Sequence, residues 1–157
     1  METLELKSTI QVCQVDELTA EEQHLVQLAI EATSRSYAPY SRFHVGAAVR
    51  LGNGVEMIGS NQENVAYPSG LCAERTALFA AGAQYPDVPV QMLAIAARGT
   101  DGEYTDEPVG PCGSCRQVII ESESRAGAPI RILLYGRRHT FVIDGIQPLM
   151  PLCFSEF

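Results

Sequence analysis

Three cysteines and a glutamate stand at the predicted starts of two helices, with spacings that suit metal chemistry. Cys72 is followed two residues later by Glu74, and Cys112 and Cys115 form a Cys-x-x-Cys pair after a proline. Two thiols spaced in this way at a helix start lie on one side of the helix, close enough to share a tetrahedral metal ion. The positive end of each helix dipole favours the thiolate form that a metal requires. The sequence therefore predicts that Cys72, Cys112 and Cys115 bind one zinc ion per chain.

The residues around Cys72 indicate a catalytic site. Three protein ligands leave one position of a tetrahedral zinc ion open to water, which is the arrangement of catalytic zinc. Glu74 is too far around the helix to join the metal, but it is near enough to take a proton from that water and pass it to a substrate. Zinc with three thiolates carries a net negative charge, and we expect Arg75 to offset part of it by hydrogen-bonding a cysteine sulfur.

The elements that must position these residues alternate between strands and helices. Apolar residues at every second position predict a strand over residues 3–12, and a capping box at Thr19 and Glu22 predicts a helix from about residue 20 to 35. Residues 99–110 are expected to form a solvated loop. Further strands are predicted at 45–51, 55–59, 92–97, 130–135 and 140–143, with the two cysteine-bearing helices packed on the sheet, so the fold class is α/β.

Length and composition favour one globular domain. The chain has 157 residues, of which 46% are hydrophobic and 19% charged. We expect a single domain over residues 17–157, preceded by an N-terminal extension, residues 1–16, that adds a possible edge strand. Eleven Lys and Arg stand against nineteen Asp and Glu, for a net charge of −8, which disfavours polymeric nucleic acid as the substrate.

The rest of the sequence points to the cytoplasm. No apolar run approaches the length of a membrane span, and residues 1–5 lack the features of a signal peptide. There are five cysteines, and in a reducing compartment a Cys-x-x-Cys pair indicates metal binding or redox activity rather than a structural disulfide. Cys13 and Cys153 are interpreted as small hydrophobic residues.

Together these residues resemble the zinc-dependent nucleoside deaminases, and in particular the small homotetrameric cytidine deaminases. The deaminase signature has a glutamate that is not a ligand after the first metal residue, and a later Pro-Cys-x-x-Cys. A cysteine in the first ligand position is typical of the small tetrameric branch. Residues 37–48, 61–68 and 149–151 with Phe154 resemble further motifs of that family, in the family's order, and the resemblance covers roughly residues 20 to 155.

The resemblance implies a three-layer fold, with a mixed five-stranded sheet and helices on both faces. It also implies hydrolytic deamination of cytidine and deoxycytidine in pyrimidine salvage, with water activated by zinc attacking carbon 4 of cytosine while Glu74 transfers protons. A homotetramer with shared active sites is expected. Carried over residue by residue, the resemblance assigns substrate binding to Phe43, Asn61, Glu63 and Ala73. It also assigns substrate-binding roles to Tyr67 and Phe154, which are expected to approach the pocket of a neighbouring subunit. Arg75 and Gln117 are expected to be supporting residues around the metal.

Three alternatives remain open. A related zinc deaminase could act on another nucleoside, a guanine or a free base, although Asn61 and Glu63 would be idle without a ribose. A non-catalytic module held together by zinc would need a fourth protein ligand and no Glu74. A redox-active Cys-x-x-Cys protein would have no use for Cys72 beside Glu74.

Overall fold

A computed structural model of the protein describes residues 1–155. Six strands form one sheet in the order β1-β6-β5-β4-β2-β3. Strands β4 and β5 are parallel, and the other neighbouring pairs are antiparallel, so the sheet is mixed. The strands are β1 (Gln11–Cys13), β2 (His44–Leu51), β3 (Glu56–Ser60), β4 (Val90–Arg98), β5 (Arg131–Tyr135) and β6 (Thr140–Asp144), and the helices are α1 (Ala20–Ala32), α2 (Ala73–Gln84) and α3 (Gly113–Ala126).

The sheet lies between two layers of helices, which confirms the predicted three-layer architecture. Successive side chains of a strand point to opposite faces. Along β2, Ala47, Val49 and Leu51 therefore face the buried cluster that includes residues of α2 and α3, whereas Ala48 faces the cluster that includes residues of α1. Both cysteine-bearing helices thus pack on the same face of the sheet.

Helix α2 lies unusually close to this face because of a glycine in β3. A Cβ atom added to Gly59 would lie 2.4 Å from the carbonyl oxygen of Ala73 and 2.5 Å from the backbone nitrogen of Ala77. No side chain fits there, so the first turn of α2 rests directly on the strand. This contact fixes the position of the helix start that carries Cys72 and Glu74.

Helix α1 begins as the sequence predicts. The Thr19 hydroxyl accepts from the Glu22 backbone N–H, and the Glu22 carboxylate accepts from the Thr19 N–H, which completes the capping box. The helix ends at Ala32 and continues as a 3₁₀ turn over Thr33–Arg35. The Glu22 carboxylate also accepts a hydrogen bond from Arg131 of β5, which ties the start of α1 to the sheet.

The sheet has six strands rather than the predicted five, because β1 adds an edge strand beside β6. Strand β1 is shorter than the sequence pattern predicts, and residues 3–10 form no strand. Gln11 pairs with Val142, and the ladder could continue for only two more residues before Gly145, at φ +79°, turns β6 away. The boundary between an extension and a domain over 17–157 stays a prediction, and residues 156 and 157 lie outside the described part of the chain.

Within residues 1–155, no helix has the length and apolar character needed to cross a membrane.

Candidate metal centre and active site

The three predicted zinc ligands lie at the starts of α2 and α3. Cys72 is the N-cap of α2, Cys112 is the N-cap of α3, and Cys115 lies in the first turn of α3. Both N-cap residues have extended backbone angles, and neither side chain caps a backbone N–H of its own helix. The sulfur atoms are therefore available to a metal, at the ends of two helices that each carry roughly half a positive charge.

The separations of the sulfur atoms fit a tetrahedral zinc site. Cys72 Sγ lies 3.8 Å from Cys112 Sγ, and Cys112 Sγ lies 3.5 Å from Cys115 Sγ. All three sulfurs lie within 4.8 Å of one another. A tetrahedron with Zn–S bonds of about 2.3 Å has S···S edges of about 3.8 Å. Among residues 1–155, no fourth His, Cys, Asp or Glu belongs to this group.

Charge around the thiols favours metal binding. Hydrogen bonds from Cys115 and Arg75 lower the pKa of the Cys72 thiol to about 5, against the effect of burial. Donation to the Cys72 sulfur, together with burial, raises the pKa of the Cys115 thiol. The surroundings of Cys72 thus favour its thiolate form, which is the form that binds a metal ion.

Arg75 lies where the sequence leads us to expect it. Its Nη2 atom is 3.6 Å from Cys72 Sγ, and this hydrogen bond is the main cause that raises the pKa of the guanidinium. Its Nε atom is buried and has no hydrogen-bond partner among the described residues. Arg75 thus brings a positive charge to the thiolates, and its contribution to catalysis stays a prediction.

Glu74 is buried at the same helix start, with 4% of its surface exposed. Burial is the main cause that raises the pKa of its carboxyl group, and the nearby Cys72 thiolate acts in the same direction. A hydrogen bond involving the Cys115 thiol acts in the opposite direction. The carboxyl group therefore lies beside the thiols and away from bulk water, in surroundings suited to holding and releasing a proton.

A cavity of about 560 Å³ opens beside Cys72. Cys72 and Arg75 line one part of it, and Asn61, Glu63 and Tyr67 line another. The structure thus brings the first predicted zinc ligand and the predicted ribose-binding pair to one cavity. Tyr40 and Ser41 also line it, and the ring of Tyr40 packs edge-to-face on Tyr67 at 5.9 Å between centroids.

Asn61 also has a structural role that sequence reasoning missed. Its Oδ1 accepts from the Val45 backbone N–H at 2.8 Å, and its Nδ2 donates to the Phe43 carbonyl at 2.9 Å. The amide therefore fixes the entry into β2 and, with it, the position of Phe43. Each amide atom keeps one further hydrogen-bonding position for a ligand.

Glu63 holds the loop that precedes Phe43. Its carboxylate accepts from the Tyr40 backbone N–H at 2.8 Å and from the Ser41 N–H at 3.2 Å. A side-chain hydrogen bond from Ser41 and these backbone bonds lower the pKa of the Glu63 carboxyl group. Tyr40 and Ser41 could have been predicted as cavity residues, since they lie between Pro39 and Phe43 in the first family-like motif.

The other predicted site residues, which include Glu74, Cys112 and Cys115, do not line the cavity. Phe43 is half-buried, and the side chain of Ala73 is fully buried, so that only its backbone can meet a ligand. Phe154 is 66% exposed on the C-terminal segment. Gln117 donates through Nε2 to the Phe154 carbonyl at 2.8 Å. The substrate-binding roles of Phe43, Ala73 and Phe154 and the supporting role of Gln117 stay predictions.

Sequence comparison agrees with this geometry. The sequence model of the cytidine and deoxycytidylate deaminase zinc-binding region matches residues 19–127. The chain is 46% identical over 99 residues to a cytidine deaminase of Halalkalibacterium halodurans, covering 63% of this chain and 70% of the relative. It is 38% identical over 109 residues to a cytidine deaminase of Mycobacterium tuberculosis, covering 66% and 74%.

Solved structures show the same fold. A crystal structure of a cytidine deaminase from Burkholderia pseudomallei superposes with a TM-score of 0.73 at 34% identity, covering 87% of this chain and 100% of the other. One from Mycobacterium tuberculosis gives a TM-score of 0.64 at 30% identity, covering 85% and 96%. The fold, the three converging thiols and the matched region lead to one conclusion: this chain belongs to the cytidine and deoxycytidylate deaminase family of zinc-binding proteins.

Proposed function

We propose that the protein catalyses the hydrolytic deamination of cytidine and deoxycytidine, which yields uridine or deoxyuridine and ammonia. The observation that carries this proposal is the single cavity that joins Cys72 of the three-thiol group to Asn61 and Glu63. Cys72 of the predicted metal site and a polar pair suited to a sugar thus line the same cavity. The relatives that are named cytidine deaminases support the same activity.

Glu74 carries the proton transfers in this proposal. When bound, zinc supplies Lewis-acid activation of the water nucleophile. Glu74 accepts one proton of the attacking water and delivers it to ring nitrogen 3, while the water oxygen bonds to carbon 4. Glu74 then passes the second proton to the amino group, the bond between carbon 4 and that nitrogen breaks, and ammonia leaves. Burial keeps the carboxyl group out of bulk water during both transfers.

The neighbouring residues orient the substrate. Asn61 and Glu63 hydrogen-bond a ribose hydroxyl in this proposal, and the support is that their contacts with the backbone leave further hydrogen-bonding positions free. Phe43 packs against the pyrimidine, and the backbone of Ala73 contacts the base. Arg75 compensates the negative charge of the thiolates, since its Nη2 donates to Cys72 Sγ.

A substrate panel tests the proposal. Purified protein with one zinc per chain is incubated with cytidine, deoxycytidine, cytosine, guanine and a single-stranded oligodeoxynucleotide, and deamination is followed by ultraviolet absorbance and chromatography. We expect turnover of the two nucleosides and none of the oligonucleotide. Preference for cytosine or guanine would instead favour a free-base deaminase, and no turnover of any compound would favour a zinc module without catalysis.

We also infer a homotetramer with shared active sites. Tyr67 is 74% exposed at the cavity and Phe154 is 66% exposed on the C-terminal segment, and large aromatic side chains of this kind are typical of subunit contacts. Sedimentation measures the assembly directly. Mixing inactive Glu74→Ala and Phe154→Ala proteins under subunit exchange should restore part of the activity, because some sites then receive both intact residues. A stable active monomer would refute the shared sites.

Finally, we infer that the protein acts in the cytoplasm, in pyrimidine salvage. None of the five cysteines forms a disulfide, as expected in a reducing compartment. The net charge of −8 suits a small nucleoside better than a phosphate backbone. Fractionation of the native cells with an antibody against the protein tests the location, and recovery in a non-cytoplasmic fraction would contradict it.

A further inference from the structure

Arg116 follows Cys115 directly and contacts the peptide groups on both sides of Cys112. Its backbone N–H donates to the Cys112 carbonyl at 2.9 Å, and its side-chain Nε donates to the Pro111 carbonyl at 2.8 Å. The Pro111 carbonyl belongs to the peptide group that precedes Cys112, and the Cys112 carbonyl belongs to the peptide group that follows it. Because both peptide planes are held by one residue, the backbone angles of Cys112 and the direction of its Cα–Cβ bond are fixed.

Cys112 needs such support more than the other two thiols do. Cys115 is fully buried, so packing holds its side chain in place. Cys72 is half-buried and accepts a hydrogen bond from Arg75. Cys112 is exposed, and no arginine donates to its sulfur among the described contacts. The hydrogen bonds from Arg116 therefore restrain the ligand that packing restrains least.

The guanidinium of Arg116 is itself held in place. Its Nη1 donates to the carbonyl of Leu149, at the end of the short 3₁₀ helix Gln147–Leu149. The C-terminal segment is fastened to α3 a second time, where Gln117 donates to the Phe154 carbonyl. The planar guanidinium donates to the two carbonyls from two different nitrogen atoms at fixed angles, whereas a lysine offers one nitrogen on a flexible chain.

We propose that Arg116 is a positioning residue, which sets the orientation of the Cys112 thiol and thereby the retention and geometry of the metal. This inference rests on the proposed function, because the metal concerned is the one that the deamination uses. Partners that orient metal ligands typically contribute 10–100-fold in metal affinity. Loss of the Arg116 side chain removes the hydrogen bond to the Pro111 carbonyl. The backbone hydrogen bond from the Arg116 N–H to the Cys112 carbonyl is retained.

The test compares three variants as zinc-loaded proteins: Arg116→Ala, Arg116→Lys and Arg125→Ala. Arg125 is the matched control, because it is another arginine of α3 whose Nη2 donates to a proline carbonyl, that of Pro86, at the far end of the helix. Zinc release is measured with an excess of a chromophoric chelator. The same proteins loaded with Co²⁺ report ligand geometry through their visible absorption. Circular dichroism checks that each variant is folded.

We expect Arg116→Ala to release zinc at least ~10-fold faster than the wild type, with altered Co²⁺ bands, and Arg116→Lys to lie between them. Arg125→Ala should match the wild type within about twofold in both measurements. Wild-type release and wild-type bands in Arg116→Ala would overturn the proposal, as would equal effects in Arg125→Ala. If Arg116→Ala does not fold, the comparison of Arg116→Lys with the wild type decides by the same criteria. Nucleoside turnover by the wild type is measured separately, so failure of the proposed function is distinguished from failure of this inference.

Discussion

Replacing Gly59 by alanine tests how the sheet positions the candidate active site. The added Cβ would lie 2.4 Å from the Ala73 carbonyl oxygen and 2.5 Å from the Ala77 nitrogen. Both atoms belong to the backbone of α2, so no side-chain rotation can relieve the contact. To reach ordinary contact, which begins near 3.4 Å, the first turn of the helix must move by about 1 Å. That turn carries Cys72 and Glu74.

The expected magnitudes follow from this displacement. Overpacking a well-packed interior destabilises a protein by about 1–3 kcal/mol. A shift of about 1 Å in a catalytic group can lower the rate by about 100-fold. Gly59→Ala should therefore reduce both stability and nucleoside turnover, and turnover should fall even at temperatures where the variant is fully folded.

Gly82→Ala is the matched control, because Gly82 lies on the same helix near its other end. Its added Cβ would meet only the Nη1 atom of Arg125, at 3.6 Å. Alanine is favoured over glycine inside a helix by about 1 kcal/mol, so this variant should be more stable than the wild type and equally active. Urea unfolding and kcat/KM are measured at one protein concentration. Wild-type stability and activity in Gly59→Ala would refute the reasoning.

Three further outcomes follow from particular contacts. Burial works to raise the pKa of the Glu22 carboxyl group, but hydrogen bonds from the helix N-terminus and from Arg131 outweigh it and lower the pKa below 4.5. Glu22→Gln should therefore lower the free energy of unfolding in urea by about 2 kcal/mol at neutral pH. This difference should shrink as the pH falls below 4.5, through the lowered pKa of the folded state. Glu123 accepts hydrogen bonds from the buried backbone N–H groups of Ile130 and Ile146, at 2.9 and 3.0 Å. Glu123→Ala should therefore lower the free energy of unfolding by about 3 kcal/mol in the same assay. Glu123→Gln keeps an acceptor and should lower it by less than about 1 kcal/mol. Cys115→Ser should lose zinc and activity in metal analysis and turnover assays, and Cys13→Ser should keep one zinc per chain; equal zinc content in both would contradict the ligand assignment.

Local patterns in the sequence predicted local structure well. The capping box at Thr19 and Glu22 and the β2–β3 hairpin depend on residues a few positions apart, and both are present. The three thiols could also be predicted, because Cys112 and Cys115 share one helix start and a third thiol is needed to complete a metal site. The separation of 3.8 Å between Cys72 Sγ and Cys112 Sγ, however, is a contact across forty positions that spacing along the chain does not specify.

Long-range packing could not be predicted from local patterns. Residues 99–110 were expected to form a solvated loop, but part of this loop docks on the turn between β5 and β6. A Cβ on Gly136 would lie 2.7 Å from the Asp106 carbonyl oxygen, and Arg137 forms an ion pair with Asp106 at 2.7 Å. These partners are about thirty positions apart in the chain, so no periodicity in either segment indicates the contact.

For strand β1, the local sequence pattern predicts a longer element than the structure contains. The alternation over residues 3–12 predicts a strand of about ten residues, yet only Gln11–Cys13 pairs with the sheet. Alternating apolar residues specify a strand only where a partner strand continues beside them. Gly145 ends that partner, and Leu4 and Leu6 remain 74% and 52% exposed.

The most direct test of the central claim is the turnover of cytidine by Glu74→Gln, measured with the zinc content of the same sample. Glutamine has the shape of the buried carboxyl group but cannot transfer a proton. We expect one zinc per chain in both proteins and a loss of kcat of at least ~100-fold in the variant, since general acid–base catalysis typically contributes 10²–10⁴. Glu121→Gln, at an exposed glutamate of α3, should match the wild type. A fully loaded Glu74→Gln protein that deaminates cytidine at the wild-type rate would contradict the account.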